Sequence, residues 1–375
     1  MISLPQAAYI HIPFCKHHCG YCDFAVVAGK DHLQTLYLEA LELELTSLVN
    51  SQEIQTLFIG GGTPTYLSEP NLQRLMQMLG IWFKNYDEFS IEATPESITA
   101  EKIAILQGGG VNRISLGVQS FENHSLIELD RVHSVADIRP AIEMCNDHFP
   151  RVSLDLIFAV PEQRLEDWQR DLRAAVDFGV GHISTYGLTY EKGTPLWKRR
   201  ERKEVVALDE DLEGQMYEYA MAELPRLGLE QYEISNFAKP GQECRHNQIY
   251  WANESYYGFG LGAARYLAGT RETNTRSLDN YLKKLFAGES PTQSSERLSD
   301  LDRARETIFT QLRRREGILR ESFENQTGFS IDQLAGERLK PLLDNHLLID
   351  DSVSIRLSRA GRCLADAVIT ELMAG

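Results

Sequence analysis

Short apolar runs alternate with longer stretches of helical period through the first half of the chain. Residues 7–12, 56–59, 88–92, 113–118, 152–158 and 182–186 are each too short for a helix and bounded by polar or glycine-containing segments. Each therefore predicts a strand. Between them lie stretches of helical period at 33–49, with Leu36, Leu43 and Leu45 among the apolar positions, at 68–83 behind the capping residue Ser68, from 99 onward, at 135–147 and at 165–178. Six strand–helix units in succession predict a parallel sheet covered by helices. No GxGxxG follows the first strand, which disfavours a dinucleotide-binding fold. The unusual polar and glycine-rich motifs fall at or after the carboxyl ends of strands, where a β/α barrel builds its sites. The expectation is α/β: a partial, open six-unit barrel.

Past Tyr186 the pattern loosens. A helix is expected over 208–227, followed by the segment 231–238. Then come His246-Asn247-Gln248-Ile249-Tyr250-Trp251 and a glycine-rich run at 257–264 that reads as a packing turn closing the barrel. The polar stretch 269–278 looks like a boundary. It would leave a barrel with its extension in residues 1–268 and a second domain in 279–375. That domain reads as mostly helical. Two short apolar runs around Asp350-Asp351-Ser352 predict a hairpin and hence a small winged-helix-like unit.

Composition narrows the partners. The formal charge of −16 over 375 residues argues against nucleic acid or anionic lipid as the main partner, without excluding a local basic pocket. No apolar run is long enough to span a membrane, and the first residues lack the basic segment of a secretory leader. Of six cysteines, three are packed into eight residues, which is not a disulfide framework. A cytoplasmic protein with reduced thiols is expected.

Those three cysteines, Cys15, Cys19 and Cys22, stand at spacing C-x3-C-x2-C directly after the first strand. Three thiolates are one short of a closed zinc site and one short of the usual all-cysteine iron–sulfur cubane. An incomplete zinc site and buried structural thiols remain open on spacing alone. In the cubane reading one iron keeps an open coordination position. Gly60-Gly61-Gly62-Thr63 after the second strand lets backbone approach a ligand. Glu92 ends the third strand, Gln119 follows the fourth, Arg131 lies in the next loop, and Asp155 interrupts an apolar run, where a charge requires a partner or a ligand. A buried ion pair between Asp155 and Arg131 is the bland reading. Cys145, Cys244 and Cys363 read as incidental thiols.

Together the cysteine loop, the 60–65 glycine loop, Glu92, Gly117-Val118-Gln119-Ser120-Phe121, Arg131 and Asp155-Leu156-Ile157 resemble the radical S-adenosylmethionine (SAM) proteins of the oxygen-independent coproporphyrinogen III oxidase family, over nearly the whole chain. The resemblance implies a 4Fe-4S cluster on the three cysteines, with SAM chelating the open iron. Glu92 would take the SAM ammonium, Arg131 its carboxylate, and Gln119 and Asp155 the ribose hydroxyls, with Tyr9 and Tyr21 bordering the ligand. Two departures stand out. Phe24 occupies the place of the oxidases' fourth cysteine, and the amino-terminal arm is short. Both, with the HNxxYW pattern, resemble the heme-chaperone (HemW) branch of that family. This implies heme as cargo, acceptor hemoproteins (a membrane-side acceptor included) and an electron donor as partners, with His246 as a candidate axial ligand and Tyr250 and Trp251 on the macrocycle. A structural histidine beside aromatic residues is the other reading of His246. The alternative function is oxidative decarboxylation of porphyrinogen propionates. A related methyltransferase or cyclopropanase is a third.

Overall fold

The structure is a computed structural model and describes residues 4–373, so residues 1–3, which bear on the leader reading, lie outside the described residues. The six expected strands form, as β1 (Ala7–Ile12), β2 (Thr56–Gly61), β3 (Glu88–Ala93), β4 (Arg113–Gln119), β5 (Arg151–Phe158) and β6 (His182–Gly187). They stand side by side in chain order and pair in parallel throughout. Helices α1 (Gln34–Leu45), α2 (Glu69–Trp82), α3 (Ala100–Gly108), α4 (Asn123–Glu128), α5 (Val135–His148) and α6 (Leu165–Asp177) fill the crossovers. A strand buried on both faces explains the near-continuous apolar runs. On β1, Ala8, Ile10 and Ile12 belong to the main core, whereas Tyr9 stacks on Phe58 of β2 and His11 lies against Gly61.

The chain then adds α7 (Pro195–Glu201), α8 (Glu210–Arg226) and α9 (Arg245–Trp251). The glycine-rich run is a strand rather than only a turn: β7 (Tyr256–Gly260) pairs in parallel with β1 on the side away from β2. Gly260 has a φ of +102°, and any side chain at Gly258 would collide with the Ala264 carbonyl. Glu44 of α1 fastens this edge, accepting from Gly260 N (2.8 Å), the Tyr281 hydroxyl (2.6 Å) and Asn274 Nδ2 (2.6 Å).

The expected boundary at 269–278 is corrected by the structure. Thr270–Asn274 and Thr292–Arg297 are further antiparallel strands of the same sheet. The helix between them, α10 (Leu278–Phe286), buries Tyr281 against Tyr37 of α1. A polar run thus reads as linker when its side chains are only half-buried and its backbone is spent on strand pairing, here to Ala264–Leu267 on one side and Thr292–Arg297 on the other. A second core begins only at Ala304 and gathers Ile308, Phe323, Leu342, Ile355 and Ile369. It surrounds a three-stranded sheet of Ile318–Leu319, Ser354–Leu357 and Leu348–Asp350, the last two forming the expected hairpin. Among the described residues, no helix is long and apolar enough to cross a membrane.

Candidate functional site

The cysteine loop leaves the carboxyl end of β1, and Phe14–Cys15 pairs in parallel with Val27–Ala28 on its return. His11 fastens that return. Burial drives its pKa down to about 4, so the ring is neutral with one donor and one acceptor nitrogen. Nδ1 accepts from the Tyr9 hydroxyl (3.1 Å) and Nε2–H donates to the Ala25 carbonyl (2.9 Å). Inside the loop, Cys22 N donates to Cys19 O at 3.2 Å, and the Cys15 sulfur lies 3.7 Å from Thr63 Oγ1. Burial pushes the thiols up, Cys15 to about 12 and Cys22 to about 11.

What lies against each glycine of the 60–62 run explains it. A Cβ on Gly60 would stand 2.9 Å from the Glu92 carboxylate, one on Gly62 2.7 Å from the Pro13 backbone, and one on Gly61 would enter the His11 ring. Gly61 also has a φ of +111°, which only glycine adopts freely. Its N–H donates to Glu92 Oε2 at 2.9 Å. Burial, aided by the nearby charge of Asp155, raises the Glu92 carboxyl to about 7 against that hydrogen bond.

Asp155 is raised by burial too, although Ser184 and Ser115 oppose the shift; the Ser115 hydroxyl lies 2.9 and 3.1 Å from its two oxygens. The ion pair with Arg131, the bland alternative for Asp155, is not made. Arg131 instead donates to the Gly117 carbonyl (2.9 Å) and the Cys19 sulfur (3.4 Å), and its Nε has no partner among the described residues. Burial works against its charge, but Tyr21, Cys19 and Glu96 outweigh that and hold it protonated. Gln119 sits at φ +67° in a break of register between β4 and β5. Asp171 of α6 pins the residues after it, accepting from the Ser120 hydroxyl and Phe121 N at 2.7 Å each.

These groups share one cavity of about 550 Å³ at the barrel mouth. Cys15, Cys19, Cys22, Tyr21, Gly61, Gly62, Thr63, Glu92, Gln119, Arg131 and Asp155 all line it. Three thiols, two carboxyls and a guanidinium around one space can take a sulfur-ligated metal group together with a zwitterion. Among the described residues no group of three His, Cys, Asp or Glu side chains is set to close on a single ion. Tyr9 and Gly60 stand one layer below the cavity, Tyr9 holding His11 and Gly60 backing Glu92.

His246 is a correction. It sits in α9, which plugs the opposite end of the barrel, and is 1% exposed. Its Nδ1 meets Thr56 Oγ1 (2.9 Å) at the start of β2, and its ring stacks on Phe58 (5.0 Å between centroids) and meets Tyr250 edge-on (4.6 Å). Burial takes its pKa to about 3. A porphyrin needs an open face, and aromatic packing fills this one. Tyr250 packs on Tyr256, and Trp251 lies under Arg313.

Residues 9–175 match the radical SAM superfamily, and residues 298–364 match the HemN C-terminal domain. The chain is 36% identical over 370 residues to the heme chaperone HemW of Bacillus subtilis, covering 97% of this chain and 98% of that protein. It is 36% identical over 379 residues to that of Lactococcus lactis, covering 100% and 98%. The chain belongs to the HemW family of radical SAM proteins. Its HemN-like fold is shared with coproporphyrinogen III oxidase HemN of Escherichia coli, with a TM-score of 0.86 over 99% of this chain and 90% of that one, at 22% identity. A mitochondrial relative from mouse, radical S-adenosyl methionine domain-containing protein 1, is 30% identical over 99% of this chain and 88% of its own.

Within this HemW-family cavity the sequence reading missed Ser115, Glu96, Tyr186 and Leu188. Ser115 and Tyr186 were findable. They lie on the same face as Gln119 and Ser184 by the two-residue period of a strand. Glu96 lies 3.5 Å from His133 and helps hold Arg131, a relation no spacing announces.

Proposed function

We propose that this protein is a heme chaperone that carries a 4Fe-4S cluster on Cys15, Cys19 and Cys22, binds SAM in the mouth cavity, and passes heme to acceptor hemoproteins. The near-full-length identity to proteins named heme chaperone HemW carries this reading. The donor set agrees with it: three thiols on one loop, with a buried guanidinium beside Cys19 to balance thiolate charge. When bound, such a cluster offers SAM an open iron and one electron. The chain's own residues do the rest. Glu92, held neutral to about pH 7, ionises readily only when a cation arrives, which suits an ammonium. Arg131 presents a fixed positive fork to a carboxylate. Gln119 and Asp155 would take the ribose hydroxyls, with Ser115 orienting Asp155. Gly61, Gly62 and Thr63 would admit the ligand's methionine half beside the loop, and Tyr21 would border it.

The oxidase reading draws on the shared HemN fold. Phe24 weighs against it, standing where the oxidases keep a fourth cysteine, 66% exposed at the cavity rim. The deciding experiment is anaerobic purification, titration with hemin, and a parallel assay with coproporphyrinogen III. A stable Soret band without decarboxylation is expected. Decarboxylation without heme retention would reverse the assignment.

A further inference from the structure

The chain carries −16 overall, yet residues 191–204 hold six basic side chains (Lys192, Lys198, Arg199, Arg200, Arg202, Lys203) against three acidic (Glu191, Glu201, Glu204). Helix chemistry accounts for part of this, since Lys198, Arg199 and Arg200 fall in the last turn of α7, where the helix end favours cations. Placement accounts for more. Leu196 N donates to the Gly20 carbonyl at 2.8 Å, so α7 is fastened to the cysteine loop itself. A Cβ on Gly20 would stand 3.3 Å from the Asp130 side chain and 4.0 Å from that of Leu196, so loop, α4 end and α7 are one continuous surface.

Two carboxylates at this junction are occupied from within, while Glu191, Glu201 and Glu204 are exposed beside it. His17 bonds Asp130 at 2.8 Å and Arg199 bonds Glu128 at 3.0 Å. Facing outward are Lys16 on the loop and the exposed Lys192, Lys198, Arg200 and Lys203, which outnumber the exposed Glu191 and Glu201, with Trp197 partly exposed among them and Arg202 spent on Glu204 at 3.7 Å. Cys15, Cys19 and Cys22 are half-buried and belong to the same loop as Lys16 and Gly20.

We propose that this basic face, formed by the 15–22 loop and α7, docks an acidic electron-carrier protein that reduces the cluster; the inference rests on the cluster reading above. Electron transfer weakens steeply with distance, so a carrier must sit on the loop rather than elsewhere. The acidic remainder of the chain repels such a partner, and a single positive face therefore both attracts and orients it. In the step, one electron passes from the reduced carrier to the oxidised cluster. The carrier is oxidised by one electron, and no bond forms or breaks.

The test compares the cluster-reconstituted full chain with the charge reversal Lys198→Glu, Arg200→Glu, Lys203→Glu, none of whose residues lines the cavity. Cluster bleaching is followed by stopped flow with a photoreduced acidic flavin-carrying protein, and separately with a photoreduced deazaflavin as small reductant. The variant is expected to lose about tenfold or more in carrier-driven rate at low salt, and the wild type to slow toward it as salt rises. Deazaflavin rates should match. Equal, salt-insensitive carrier rates in both proteins overturn the docking site. So does binding to anionic phosphatidylglycerol vesicles that the variant loses while its carrier rate stays unchanged. Absence of cluster absorbance in the wild type overturns the cluster reading first, and the docking site with it.

Discussion

The two ends of the barrel are both polar, and they use their charges oppositely. At the floor the buried charges Glu88 and Arg113 answer each other. Glu88, at the start of β3, lies 3.8 Å from Arg113 and accepts the N–H groups of Arg245 and His246 at 3.1 Å each, with the Cys244 thiol at 3.5 Å. Arg113 donates onward to the Gln242 carbonyl at 2.9 Å, and His182 bonds Ser153 and Tyr232. At the mouth the opposite holds. Among the described residues Glu92 and Asp155 are buried with no cation in a salt bridge to them, and the backbone at Gly61 and Gln119 is held at positive φ. A buried charge that the chain satisfies is architecture. One left with hydrogen bonds but no counter-ion is a binding group.

Breaking the floor should cost the most. Glu88→Ala strips Arg113 of its partner and α9 of its acceptor, and should lower stability by about 3–5 kcal/mol in urea unfolding. A variant as stable as the parent would dissolve the contrast between the two ends.

Glu92→Gln tests the mouth in the other direction. A carboxyl raised from 4.5 to about 7 binds its proton more tightly when folded, so the unfolded chain ionises first and stability falls as pH climbs through that window. Removing the charge should stabilise the ligand-free protein by up to about 3 kcal/mol at pH 8 and by little at pH 4.5. SAM binding, read by isothermal titration, should weaken. Equal melting shifts at both pH values would show that Glu92 has a cation the structure does not hold.

His246→Ala should cost about 2 kcal/mol through the lost Thr56 bond and emptied aromatic space. The Soret band of heme-loaded protein should keep its position, and a shifted band would return the axial ligand to α9. Smallest of all, replacing Cys15, Cys19 and Cys22 together by Ala should change stability by about 1 kcal/mol or less, because half-buried thiols at the mouth contribute little packing. Bound iron should be lost altogether. Iron retained near the wild-type content would move the cluster elsewhere.

The sequence alone determined the six-strand barrel and most of its mouth. Strand runs announce themselves because both faces are buried, and Glu92, Gln119 and Asp155 stand out because polar residues interrupt or end those runs, whereas Arg131 lies in a loop and was marked by the family resemblance. The three cysteines were legible from spacing. Only the tertiary structure separated mouth from floor. His246 and Arg131 look alike in sequence, each a cationic or titratable residue in a short motif after a strand or turn. Which end of the barrel a residue reaches depends on where the following segment docks, and α9 docks at Thr56 and Glu88, at the starts of β2 and β3. The sheet's continuation through 270–297 was hidden for a related reason. An edge strand with one solvated face keeps a polar composition, so its pairing is decided by a neighbour far away in the chain, here the closing network around Glu44.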